Sequence, residues 1–242
     1  MKAALLAGLP GFRPELPEET VNALCAFGQA VIEQNKVMNL TAITEPAQVA
    51  KLHLLDSLTL TACLDLEGKR LIDVGCGAGF PGVPIAIASP RTEVTLLDSL
   101  GKRVAWLEEI LPQLGISAQC ITARAEEAVA DRRESYDAAS SRAVARLNIL
   151  LELLAPYVKV GGYVAALKGA AAQEELDEAL EEELDTPLFV RSRPLVLTQD
   201  GKQFLQTAKQ ILQLKQQYEE SSSKSISGAH FVRLGIEHTV CL

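Results

Sequence analysis

Several things are missing from this sequence, and each absence narrows it. No apolar run approaches the roughly 20 residues that cross a bilayer, so no membrane span is expected. The opening Met1-Lys-Ala-Ala-Leu-Leu-Ala-Gly-Leu is too short and too weakly basic for a signal peptide, and Pro10 cuts it off. The five cysteines, at 25, 63, 76, 120 and 241, are odd in number and lack paired spacing. Neither a disulfide framework nor a metal site is therefore expected. Cys25, Cys63 and Cys120 read as core packing in a reducing cytoplasm. A strongly basic balance is missing too, because the net charge is −8. A nucleic-acid partner would have to meet a local basic patch.

What is present suits one domain or one domain with a small appendage: 242 residues, 48% hydrophobic and 22% charged. The most informative stretch is Leu71-Ile-Asp-Val-Gly-Cys-Gly-Ala-Gly-Phe-Pro-Gly82. It opens as a short buried strand, passes through glycines at 75, 77, 79 and 82, and enters an apolar helix after Pro81. Strand, glycine loop and helix together can present backbone N–H groups to a ligand, and glycine permits positive φ and close approach. A second strand, Glu93 to Leu97, ends at Asp98, where a carboxylate can accept from ribose hydroxyls.

The site thus reads as a nucleoside site. Gly77-Ala-Gly79-Phe-Pro-Gly82 also fits the dinucleotide pattern G-x-G-x-x-G, so a dinucleotide-dependent oxidoreductase stays open. Asp73 favours S-adenosylmethionine: a carboxylate just before the first glycine can meet that ligand's amino group, whereas a pyrophosphate gains nothing from it. No Tyr-x-x-x-Lys is present to serve hydride transfer.

Around this stretch the chain alternates. Strands are predicted near 70–74, 93–97, 118–122, 136–140 and 162–167, and helices near 81–88, 101–114, 125–130, 144–157 and 171–184. That alternation means an α/β fold with a doubly wound, mostly parallel sheet. Ahead of it, residues 17–36 and a helix opened by Thr44 to Gln48, with Pro46 in its first turn, read as an N-terminal helical cap. The carboxylate-rich Glu174 to Asp185 keeps an apolar stripe and reads as a solvated helix face. Residues 203–220 read as a further helix. The expected organisation is a cap over 1–68 packed on the main domain, a core over 69–198 and a tail over 199–242.

At DVGCGAGFPGVPIAIASP and LLDSLGKRVAWLEE the chain resembles the bacterial glucose-inhibited division protein B family, the ribosomal small-subunit methyltransferases G. The resemblance extends through NKVMNLTAITEPAQVAKLHLLDSL at 35–58, ARAEE at 123–127, SRAVARL at 141–147 and GGYVAALKG at 161–169, and covers roughly residues 20–197. From about 198 onward it fails, and the family's K-Y-P-R-R-x-G tail motif is absent. The resemblance implies a Rossmann-like methyltransferase core, S-adenosyl-L-methionine as cofactor and N7 of a guanine in 16S rRNA as acceptor. It implies the rRNA or the small ribosomal subunit as partner, and a cytoplasmic monomer. It places Gly75, Gly77 and Phe80 at the methionine and ribose end, Asp98 with Ser99 at the ribose, and Ala125 with Glu126 at the adenine edge. Arg142 stands among its cofactor-binding and catalytic residues; Asn39, His53 and Asp56 also match it.

Physical readings stand beside these. Glu126 is equally a first-turn carboxylate favoured by the helix dipole. Arg142, after the fourth strand, can hold a carboxylate, a phosphate or guanine O6 in its planar fork, or form a plain surface ion pair. Lys102, Arg124 and Lys168, with Arg103 and Arg146, follow strand ends and can form a basic rim for RNA. A lone His on a helix reads as structural, so His53 stays outside the expected site. The sequence lacks the N/D-P-P-Y motif of exocyclic-amine methylation and the Pro-Cys nucleophile of C5 methylation. Both absences point to a ring nitrogen. A binding protein that kept the fold without the activity is the third reading.

Overall fold

In a computed structural model of the chain, the described residues are 1–9, 16–142 and 145–168, with 189–190, 196–197, 203, 206–207 and 210 beyond them. These described residues fall into two compact units: those within 1–145 and 149–167, and those within 146–148 and 168–210. The helix predicted at 171–184 lies outside the described residues.

The first unit holds a five-stranded sheet of β1 (Arg70–Val74), β2 (Glu93–Asp98), β3 (Gln119–Thr122), β4 (Tyr136–Arg142) and β5 (Val158–Leu167). Their order is β3-β2-β1-β4-β5, and every pairing is parallel. Such strands are covered on both faces. Leu71, Ile72, Asp73 and Val74 are accordingly all buried, which explains the unbroken run in place of alternation. The chain reverses direction across the sheet between β1 and β4, which makes the ends of these strands the switch point of the fold.

Helices cover both faces. The cap comprises α1 (Lys2–Gly8), α2 (Glu18–Asn35), α3 (Pro46–Val49), a π-helical stretch Ala50–Leu55, and α4 (Asp56–Cys63). Glu45 caps α3 by accepting from Gln48 N, and Pro46 sits in its first turn as predicted. With α5 (Gly82–Ala88) and α6 (Gly101–Gln113), the cap closes one face around Leu24, Phe27, Leu54, Leu58, Leu71, Ile85, Leu96 and Leu107. On the other face α7 (Ala125–Ala128) and α8 (Leu147–Leu154) surround Ile72, Leu97, Ala139, Leu150, Leu154 and Tyr157.

Several expectations change. The opening segment is a helix whose Leu5 is buried in the core. Cys63 is exposed, while Cys76 is the buried thiol among the described residues. The helix predicted at 144–157 is shorter, passing into a 3₁₀ turn at Ala155–Tyr157. Strand β5 begins earlier than predicted; a shift of register after Tyr136 is absorbed at Gly161, with φ of +81°, and Gly162, where a Cβ would come 2.6 Å from Asp137 O.

In the second unit, β6 (Phe189–Val190) and β7 (Val196–Leu197) pair antiparallel. Gln203, Gln206, Thr207 and Gln210 are helical, within the helix predicted at 203–220. The Thr207 hydroxyl donates to Gln203 O at 3.1 Å.

Candidate active site

The glycine loop leaves β1 at the switch point and folds on itself. Gly75 N and Cys76 N both donate to Leu97 O, at 2.7 and 3.1 Å. Gly79 N and Phe80 N donate to Cys76 O, at 2.7 and 3.1 Å. Gly77 N donates to Asp98 Oδ2 at 2.8 Å, and Gly82 N to Asp73 Oδ2 at 2.8 Å. The expectation that this loop offers its N–H groups to a ligand is therefore corrected at these six residues, whose N–H groups are taken within the protein, by Cys76 O in the loop, by Leu97 O and Asp98 on β2 and by Asp73 on β1. Glycine serves the geometry instead: Gly75, Gly77 and Gly79 have φ of +72°, +57° and +93°.

Asp73 is corrected as well. It is fully buried, with one oxygen on Gly82 N and the other accepting from Ser140 Oγ at 3.3 Å. Burial pushes its carboxyl up to about 7 despite the Gly82 N–H. The side chain braces the turn between β1, α5 and β4. Its carboxylate also takes the first N–H of α5, where a pyrophosphate would bind. The dinucleotide reading loses its phosphate site.

Asp98 ends β2 as predicted. Its Oδ2 accepts from Gly77 N and its Oδ1 from Leu100 N at 2.8 Å, and Arg103 lies 3.8 Å away. A carboxylate has about four lone-pair positions, so capacity remains for two hydroxyls. Ser99 follows, exposed. On the neighbouring strand end, Ala123 N donates to Asp98 O, which brings Ala125 and exposed Glu126 beside Asp98 at the start of α7. Tyr157 fixes that turn by donating to Ala125 O at 2.6 Å. Lys102 is exposed in the first turn of α6, and Arg124 precedes α7 with its side chain 3.9 Å from Glu126. Lys168 directly follows β5 and belongs to the second unit.

Phe80 is buried. Its ring lies against Phe27 at 5.4 Å and His53 at 4.7 Å, and the Arg142 guanidinium lies over it at 5.0 Å. Arg142 reaches from β4 into the cap, donating to Leu52 O at 3.3 Å and standing 3.6 Å from Asp56 Oδ2. His53 packs beside Phe80 in this cluster, held at both ring nitrogens. Its Nδ1 meets Leu52 O at 3.0 Å and its Nε2 meets Thr41 Oγ1 at 2.7 Å. Burial first, and Arg142 second, lower its pKa to about 4. The imidazole is neutral at ordinary pH and engaged at both nitrogens. Asn39 is exposed; the loop it sits in is held by Asn35, whose Oδ1 accepts from Leu40 N and Thr41 N. Sequence reasoning singled out neither Thr41 nor Ser140, although Thr41 lies within the family-like stretch 35–58.

A buried carboxylate on the helix N-terminus and a second, partly free one ending the next strand set this sheet apart from the dinucleotide folds. Its class is the Rossmann-like methyltransferase. Over residues 20–199 the chain matches rRNA small subunit methyltransferase G, and it belongs to that family, GidB. Among curated relatives it is 44% identical over 168 residues to the ribosomal RNA small subunit methyltransferase G of Desulfitobacterium hafniense (strain Y51), covering 68% of this chain and 70% of that one. It is 46% identical over 184 residues to the enzyme of the same name from Alkaliphilus oremlandii (strain OhILAs), covering 74% and 77%. Among solved structures it is similar to a SAM-dependent O-methyltransferase from Thermotoga maritima, with TM-score 0.47, 22% identity, and coverage of 66% and 57%.

Proposed function

We infer that the protein is an S-adenosyl-L-methionine-dependent methyltransferase acting on N7 of a guanine in 16S rRNA. The observation that carries this reading is the pair of carboxylates at the switch point: Asp73 closing the α5 N-terminus against phosphate, and Asp98 holding the loop with acceptor capacity to spare. The residues fit the cofactor. Asp98 and Ser99 hold the ribose, Ala125 and Glu126 the adenine edge, and Gly75 and Gly77 let the methionine end approach the main chain. The cofactor supplies an electrophilic methyl group on a sulfonium.

Guanine N7 carries a lone pair and no proton, so the chain needs no general base. Accordingly, His53, the histidine of this cluster, is neutral and held at both nitrogens. What the chain must do is hold the acceptor in line, which is a task of positioning. Arg142 orients by its fork, against the cofactor's carboxylate or the guanine edge. Lys102, Arg124 and Lys168 take RNA phosphates. In this division of labour the cap and the sheet of the first unit build the site, in a monomer that works in the cytoplasm, where ribosomal subunits are made. Among the described residues no helix is long and apolar enough to cross a membrane.

The test has two parts. Titration calorimetry should give binding of S-adenosylmethionine and none of NAD. Incubation of unmethylated small-subunit particles with labelled cofactor should place the label in 16S rRNA, at a guanine made sensitive to borohydride–aniline cleavage. Binding of NAD alone would restore the oxidoreductase reading. Cofactor binding without transfer would leave a binding protein.

A further inference from the structure

Arg142 comes from the sheet, but what fixes its guanidinium comes from elsewhere. The Phe80 ring lies beneath it at 5.0 Å, Leu52 O accepts from Nη1 at 3.3 Å, and Asp56 Oδ2 stands 3.6 Å from the same nitrogen. Leu52 and Asp56 are one helical turn apart, and the π-helical stretch Ala50–Leu55 ends directly before Asp56. π-Helical turns are rare and occur mostly at functional positions. The platform is braced in turn. Phe80 is packed between Phe27 and His53, and His53 is tied to Thr41. The Arg142 side chain keeps only 20% of its exposure and that of Asp56 41%, so water screens the pair incompletely.

We propose that Asp56, on the cap helix, is the positioning residue for Arg142: with the Leu52 carbonyl it sets the plane in which the arginine presents its remaining N–H donors. The cap is then part of the orienting machinery and not merely a cover. The proposal rests on the methyltransferase reading, in which Arg142 orients the reacting partners. Asp56 touches neither cofactor nor acceptor. It acts through Arg142, and its loss should register in turnover and not in cofactor affinity.

The experiment is a double-mutant cycle on the full chain, with Asp56→Asn, Arg142→Lys and both together, plus Asp56→Glu as a charge-retaining variant. Turnover and KM are read on small-subunit particles, cofactor affinity by calorimetry, and folding by thermal denaturation. Asp56→Asn should lower kcat by about tenfold while KM for the cofactor stays within about twofold. Asp56→Glu should recover most of the turnover. In the Arg142→Lys background, itself strongly impaired, Asp56→Asn should change kcat by less than about twofold, because the two act as one unit. Wild-type turnover in Asp56→Asn overturns the proposal, as do losses that multiply in the double variant. A kcat loss that follows a fall in melting temperature, in Asp56→Glu as in Asp56→Asn, makes the residue merely structural. If the wild-type chain itself transfers no methyl group, the methyltransferase reading has failed and takes this proposal with it.

Discussion

Asp98 was legible in the sequence as the carboxylate that ends β2, but its bonds to Gly77 N and Leu100 N were not. They alter the choice of variant. Asp98→Ala would leave two N–H groups without their acceptor and disturb the loop. Asp98→Asn retains one acceptor and loses the charge. Hydrogen bonds to a charged group contribute about 1.5–3 kcal/mol, so Asp98→Asn should weaken S-adenosylmethionine binding by about tenfold or more by calorimetry, with the fold intact. His53 gives a pH signature. Its ordinary value is 6.5 and its folded value about 4. Its stabilising contribution is complete above pH 6.5. As the pH falls towards 4, the unfolded chain takes up a proton that the folded chain refuses, and on the order of 3 kcal/mol is lost. His53→Gln should therefore approach or pass wild type in stability between pH 7 and 4, as followed by thermal denaturation. Asp73 opposes this trend: raised to about 7, it loses stability for the fold as pH rises from 3.8 through 7.

At the scale of elements, the strand–loop–helix from β1 to α5 separates glycines that sequence spacing makes alike. A Cβ on Gly77 would meet only Gly75 O, at 3.9 Å, so the space before it is open. A Cβ on Gly79 would lie 2.7 Å from Val83 Cγ2 and 3.1 Å from both Leu107 and Phe27. Gly77→Ala should lose about 1 kcal/mol of stability, from positive φ alone, and mainly weaken cofactor binding. Gly79→Ala adds overpacking of about 1–3 kcal/mol to the same strain and should be the less stable of the two. Chemical denaturation read beside calorimetry checks the pair. Equal loss of stability in both would refute the distinction.

For the whole molecule, the net charge of −8 sets the terms of RNA binding. Net charge does not favour a polyanion, so the proposed RNA contacts rest on cations at the strand ends. Lys102 is exposed there in the first turn of α6. Lys102→Ala should reduce the slope of log affinity against log salt by about one, uniformly across RNA sequences. An unchanged slope would remove Lys102 from the interface. The cap also belongs to this scale. Leu24, Phe27, Leu54 and Leu58 share one core with Leu71, Ile85 and Leu96, so the cap and the sheet face form a single packed body.

Much of this protein follows from local rules. The alternation of apolar strands with amphipathic helices specifies a parallel sheet, because each strand must be covered on both faces and each crossover is right-handed. Glycine spacing and the acidic end of β2 mark the candidate site, since both act over a few neighbouring residues. Tertiary structure decided the rest. Whether the glycine loop offers or keeps its N–H groups depends on Leu97 O, Cys76 O and Asp98, two of them on another strand. Asp73 is a brace because Gly82 and Ser140 close on it from either side. His53 is a lone polar residue on an apolar helix, and no sequence period reports a ring stacked on Phe80 or an asparagine-held loop that brings Thr41 to it. Arg142 meets Leu52 and Asp56 across a separation of some ninety residues. Contacts of that range are set by how packed elements cross, and a linear pattern carries no term for them.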